Sequence, residues 1–258
     1  MTSSHTYTED QLRRAIRLNR AVLWLSRHWL KIALAVLALY VGLALAAPVL
    51  MEVGAEGPAN VLYTLYSPLC HQFAFRSWFL FGQQYSYPRA VAGSDQASFE
   101  SFAASDPHFA DVNLTRWTAD LQLKSRSFKG NEEMGYKTAL CERDMMIYAA
   151  MLLGGLLYSR VRDRLRPVPI GLYIFLGLGP IGLDGFSQLL SYPPFEFWPV
   201  RETLPAYRAL TGALFGAMNI WLAFPYLQMS MRETMETVEV KLAQARARLG
   251  ELRAGGAV

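Results

Sequence analysis

IALAVLALYVGLALAAPVLMEV, running from Ile32 to Val53, carries no charged side chain before Glu52. A helix rises about 1.5 Å per residue, so roughly 20 such residues bridge the ~30 Å hydrocarbon core of a bilayer with every backbone N–H and C=O bonded inside the segment. This run reads as a first membrane span and places the chain among integral membrane proteins. A signal peptide is the competing reading, because Ala44-Leu45-Ala46 resembles a small-residue cleavage site. The long basic stretch before it is unusual for a cleaved signal.

Working outward, similar apolar blocks occupy residues 145–158, 167–190 and 209–227, and hydrophobic residues make up 52% of the 258. Between them, residues 57–82 are apolar and aromatic but broken by Pro68, which suits an interfacial or re-entrant segment; a second full span is the alternative. The expected fold class is an all-α integral membrane protein: a bundle of about four transmembrane helices plus that aromatic segment. Five regions follow from the composition: a basic amphipathic segment (1–31), a first span with the aromatic stretch (32–87), a polar insertion (88–136), a core of three spans (137–230) and a C-terminal helix (231–258).

Charge sets the orientation. The net charge of +4 says little, but Arg160, Arg162, Arg164 and Arg166 crowd one short loop against Asp163 alone. With four spans, this loop and both termini lie in the cytoplasm of a multi-pass cell-membrane protein, and Glu52 to Asp144 lies outside. A full crossing by 57–82 would break that agreement. In the N-terminal segment Thr8-Glu9-Asp10-Gln11 has capping-box spacing, and Leu12, Ile16, Leu23 and Trp29 recur among arginines, which suits a helix lying on the membrane surface and equally a basic cytoplasmic flank of the first span. At the other end Met231, Met235, Val238, Leu242, Ala245, Leu249 and Leu252 alternate spacings of four and three. That seam permits either a short coiled coil, and with it a homo-oligomer, or a partly solvated extension of the last span. The partners implied are the lipid bilayer and a second copy. Nucleic acid is excluded as a partner class, since the arginines flank membrane segments without any binding signature.

The two cysteines sit in Cys70-His71-Gln72 and Cys141-Glu142-Arg143-Asp144, each beside an apolar segment where an unpartnered polar group is costly. Under the four-span orientation Cys70, His71, Cys141, Asp144, Asp184, Gln188 and Arg208 share one membrane face, and a common polar site is expected there. Three readings compete. Thiolate, imidazole and carboxylate all suit zinc, with Cys70, His71, Cys141 and Asp144 as ligands; adjacent Cys70 and His71 point about 100° apart if helical, so both reach one ion only where the backbone turns. A Cys70–Cys141 disulfide would close a loop of roughly seventy residues and contribute roughly 3–4 kcal/mol. The third reading is reduced cysteines packed among aromatics. Asp184 and His71 are the acid–base candidates, while Gln72, Arg76, Arg143, Gln188 and Arg208 are candidates for supporting a metal or binding an anion. Whether the protein is a metal-dependent enzyme or a structural membrane protein stays open.

These residues also carry a likeness. Cys70-His71-Gln72, Arg76-Ser77 and Phe79-x-x-Gly82, then Cys141-x-Arg143 before Ile147-Tyr148, then Pro180-x-x-x-Asp184-Gly185-x-x-Gln188, then Arg208-x-x-Thr211-Gly212-x-x-x-Gly216 resemble the uncharacterised prokaryotic membrane-protein family catalogued as domain of unknown function 2085. The likeness covers Ser67 to Gly82 and Leu140 to Ala223. In that family the second motif usually reads Cys-x-x-Cys, where this chain has Asp144, and the two motifs normally lie close together, where this chain has its polar insertion. The resemblance implies no established activity.

Overall fold

The computed structural model describes residues 8–162 and 164–255; the first seven residues of the basic segment, Asp163 of the arginine loop and the last three residues of the C-terminal helix lie outside them. Helices α1 (Glu9–Glu52), α2 (Glu56–Tyr66), α3 (Phe99–Ala103), α4 (Ala119–Ser127), α5 (Glu142–Val161), α6 (Ile170–Leu172), α7 (Gly179–Leu189) and α8 (Pro205–Gly255) account for most of the chain. Strands β1 (Ser77–Leu80), β2 (Gly130–Asn131) and β3 (Gly135–Cys141) form one antiparallel sheet in the order β1-β3-β2. The protein is therefore mainly helical, with a small sheet that the apolar patterning did not signal.

Helix α1 begins at its capping box: the Gln11 N–H donates to Thr8 Oγ1 and the Thr8 N–H donates to Gln11 Oε1. Its 44 residues extend for about 66 Å, twice the bilayer core. The basic segment thus does not lie on the membrane as a separate helix. It continues the first span without a break, because no glycine or proline interrupts residues 9–31 and its apolar positions have a partner. That partner is the tail of α8, which runs antiparallel to α1: Ile16 is buried with Val238 and Leu242, flanked by Leu23, Ala245 and Leu249. The C-terminal seam is covered by the chain's own N-terminal helix. Exposed ion pairs Arg27–Glu239 at 2.8 Å and Arg253–Glu9 at 3.2 Å border it, where solvent screens them and leaves the apolar seam to hold the helices together.

Among the described residues three helices, Glu9–Glu52, Ile170–Leu189 and Pro205–Ala254, are long and apolar enough to cross a membrane. The fourth expected span, α5, has 20 residues, but its ends carry Glu142, Arg143, Asp144 and Arg160. It packs against both α1 and α8, with Trp29, Leu30, Tyr158, Ile220 and Phe224 forming a shared core. Between α6 and α7 the helix widens into a π-helical turn, Tyr173–Leu178. Pro180 follows it, and the missing N–H and crowded ring of a proline account for the widening.

The aromatic stretch departs most from expectation. Helix α2, at 11 residues, reaches about 16 Å and is too short to cross a bilayer. Phe73, Phe75 and Phe79 are not interfacial: they are buried with Tyr87, Phe99, Phe109, Leu121, Phe128 and Met134. They form one buried cluster to which the polar insertion contributes the other half, so aromatic density here marks a packed core. The Gly82 of the Phe-x-x-Gly motif has a steric role in it, since a Cβ there would stand 1.9 Å from the Met134 carbonyl oxygen.

Candidate functional site

Cys70 is set by the end of α2 and the turn that follows. Its N–H still donates to the Tyr66 carbonyl at 3.0 Å. Two residues later Gln72 takes a positive φ of 55°, turning the chain towards β1. The Gln72 side chain is buried and holds the turn from both sides, donating from Nε2 to the Tyr63 carbonyl at 3.0 Å and to the Ala139 carbonyl of β3 at 2.8 Å. Cys141 arrives from the other direction, as the last residue of β3 paired with Ser77, and precedes α5.

The two strands' pairing brings the sulfurs together. The Cys141 N–H donates to Cys70 Sγ at 3.2 Å, and the ligand atoms of Cys70, Cys141 and Asp144 all lie within 4.8 Å of one another. Both cysteines are free thiols. Cys141 and Asp144 stand three residues apart, one helical turn, on the same face. The nearness of Cys70, then burial, pushes the Cys141 thiol well above its ordinary value. His71 does not join this group. Its ring is exposed beside Phe73, 5.3 Å between centroids, in the non-helical turn that leads from α2 to β1. Of the four residues expected to share one ion, three converge.

The first turn of α5 divides its residues: Cys141 and Asp144 face one way, Glu142 and Arg143 the other, into a buried network of arginines and carboxylates. Glu202 is its centre. Arg76 approaches it with Nη2 at 2.8 Å and Nε at 3.2 Å, Arg208 Nη2 at 2.7 Å and Gln188 Nε2 at 2.6 Å, and the Tyr192 hydroxyl also donates to it. Burial alone would raise the Glu202 carboxyl, but Arg76 and Arg208 outweigh it and hold it below the ordinary value. Asp184 takes Arg143, Arg201 Nη2 at 3.0 Å and the Thr203 hydroxyl at 2.5 Å. Glu142 is buried with Oε2 lacking a hydrogen-bond partner, 4.0 Å from Arg208 Nε. Arg76 is also ringed by Phe73, Phe75, Trp117 and Tyr192, with Trp117 stacked on Tyr192 at 3.9 Å, which docks the insertion onto the loop between α7 and α8.

Asp184 is held within this network: its oxygens are taken by Arg143, Arg201 and Thr203, and Arg208 belongs to Glu202. Neither acid–base candidate thus touches the sulfur group. Glu202, Tyr192, Arg201 and Thr203 were hidden in what reads as a proline-rich turn. The signal available was charge: Arg76, Arg143 and Arg208 beside apolar segments each need a carboxylate, and Glu202 lies six residues before Arg208.

Lys137 was equally unforeseen. It is fully buried in β3, and its Nζ donates to the carbonyls of Gln72 at 2.5 Å, Arg126 at 2.7 Å and Ser125 at 3.2 Å. Burial first, with Lys129 and Arg126 adding to it, pushes its pKa down to about 7 from 10.5. The unfolded chain keeps its proton up to the ordinary value, so burying the ammonium costs stability at and below pH 7, and that cost falls away as pH rises towards 10.5. The stability difference between wild type and Lys137→Met should move in favour of wild type by about 1.4 kcal/mol per pH unit across that window. Unfolding in mild detergent at pH 7 and pH 10 measures it. An unchanged difference would show that the three carbonyls keep the ammonium charged.

Comparison with known proteins follows this geometry closely. Residues 122–222 match the family described as Predicted membrane protein (DUF2085). The DUF2085 match takes in Cys141, Asp144, Asp184, Gln188, Glu202 and Arg208 and begins after Cys70, His71 and Gln72. Uncharacterized protein MJ1492 of Methanocaldococcus jannaschii is 28% identical over 106 residues, which are 40% of this chain and 60% of that protein. No solved structure matches.

Proposed function

We propose that this chain is a multi-pass cell-membrane protein that holds a zinc ion through Cys70, Cys141 and Asp144 at the extracytoplasmic end of its helices. The observation that carries the reading is the mutual approach of three ligand atoms within 4.8 Å. Two thiolates on one tetrahedral zinc, each about 2.3 Å from it, stand roughly 3.8 Å apart. A backbone N–H already directed at Cys70 Sγ suits a thiolate better than a thiol. Three protein ligands leave a fourth position for water, the count found in hydrolytic rather than purely structural zinc sites. This favours a metal-dependent hydrolase or transferase acting on an amphipathic substrate. The orientation rests on the arginines from Arg160 to Arg166 and the basic start of α1, which belong in the cytoplasm, and it makes α5 a fourth span.

The closeness of the two sulfurs also suits a disulfide, in an accessory protein without catalysis. Metal analysis of protein purified in detergent separates the two. One zinc per chain, falling to background in Cys141→Ser and Asp144→Asn, is the expected result. A metal-free wild type whose electrophoretic mobility changes on reduction would replace zinc by the bridge.

A further inference from the structure

Two hollows lie side by side beneath the insertion and share Ser67 and Arg126. One, of about 310 Å³, is lined by Leu69, Cys70 and His71; the other, of about 300 Å³, by Tyr63, Leu123 and Lys129. Their electrostatics are unbalanced. Arg126 Nη2 donates to the carbonyl and hydroxyl of Ser67 at 2.7 and 2.6 Å, Lys129 donates to the Asn60 side chain, and Lys137 behind them reaches only carbonyls. Among the described residues neither Arg126 nor Lys129 has an ion pair, whereas Arg76, Arg143 and Arg208 each meet a carboxylate. Cations gathered without counter-charge beside a hollow favour an anionic occupant.

The rim indicates what carries the anion. Val61, Leu65 and Leu69 are 58, 61 and 64% exposed, and their spacing of four puts them in line from α2 into the turn after it. A row of bare aliphatic side chains is unfavourable in water and neutral against lipid tails. We infer that this groove binds an anionic phospholipid, with Arg126 and Lys129 on the phosphate and Val61, Leu65 and Leu69 along the acyl chains. The inference rests on the membrane reading above and not on zinc, although Cys70 lines the same hollow and would set the headgroup beside the metal.

The test titrates phosphatidylglycerol into delipidated protein in an uncharged detergent, followed by native mass spectrometry. One saturable lipid per chain is expected, with phosphatidylcholine binding more weakly. Replacing both cations, Arg126→Gln with Lys129→Gln, should weaken binding roughly thirtyfold, about a factor of five for each. Because Arg126 also ties down Ser67, the single Lys129→Gln variant, checked for an unchanged unfolding temperature, should by itself give the fivefold loss. Unaltered binding in these variants would overturn the inference, as would displacement by inorganic phosphate at the lipid's own concentration. Zinc content is read on the same samples, so metal-free protein that still binds the lipid leaves this inference standing while removing the zinc site.

Discussion

Replacing Glu202 with alanine should destabilise the protein by roughly 3–5 kcal/mol, the range for breaking a buried ion pair by removing one partner. Its carboxylate is nearly inaccessible and accepts from Arg76, Arg208, Gln188 and Tyr192, so the substitution leaves the part-buried Arg76 without a carboxylate and the buried Arg208 with only Glu142 4.0 Å away. Arg76 would suffer most, because it keeps only a hydrogen bond to the Tyr192 hydroxyl at 2.7 Å and the faces of Phe73, Phe75, Trp117 and Tyr192, none of which neutralises a cation. The effect should spread to the insertion, which is docked through that same arginine. Adding Arg208→Met to Glu202→Ala should recover part of the loss, since one unpaired charge leaves with its partner. Denaturant unfolding in detergent measures both. The Glu202 contribution should be present in full above pH 4.5, the ordinary carboxylate value, and be lost progressively as pH falls from there through its lowered pKa. A loss below about 1 kcal/mol for the alanine variant would mean that water shields the network.

The second large effect is steric. Gly216→Val should separate α5 from α8, because even a Cβ at this position would lie 2.2 Å from the Ile147 carbonyl oxygen and 3.1 Å from Ala150 Cβ. One turn earlier the same closeness recurs, with a Gly212 Cβ 2.5 Å from the Arg143 carbonyl oxygen. The obstacle is helix backbone, which cannot swing aside as a side chain does. A cost at or above the usual overpacking range of about 1–3 kcal/mol is therefore expected. Since α5 carries Cys141 and Asp144 in and before its first turn, the same variant should lose metal along with stability. Gly171→Ala is the matched control, with open space where its Cβ would go. Equal unfolding midpoints for the two variants would show that the helices part without cost.

The legible and illegible parts of this protein differ in range. Thr8 to Gln11 closes the predicted cap, and Gly212 and Gly216 make the close helix contact that their spacing suggests, because both depend on residues three or four apart. Cys70, Cys141 and Asp144 stand together, as expected of three of the four candidate ligands. Where identical local patterns serve two environments, the reading failed. Phe73, Phe75 and Phe79 look the same facing lipid headgroups as they do facing Phe99 and Phe109, and only the insertion folding over them decides. Likewise an amphipathic basic helix suits a membrane surface or another helix, and the tail of α8 settled the matter for residues 9–31.

By itself the sequence determined which segments are helical and apolar enough for a bilayer, where a helix starts and where two can touch, since hydrophobic runs, caps and small residues act within a few positions along the chain. Tertiary structure alone decided which charge answers which. Arg76 and Glu202 are 126 residues apart, and nothing local distinguishes that glutamate from one on the surface. It also turned His71 outward while drawing Asp144 in. In a low-dielectric interior a charge must find its counterpart wherever the topology places it, so pairing is a property of the assembled fold rather than of any stretch within it.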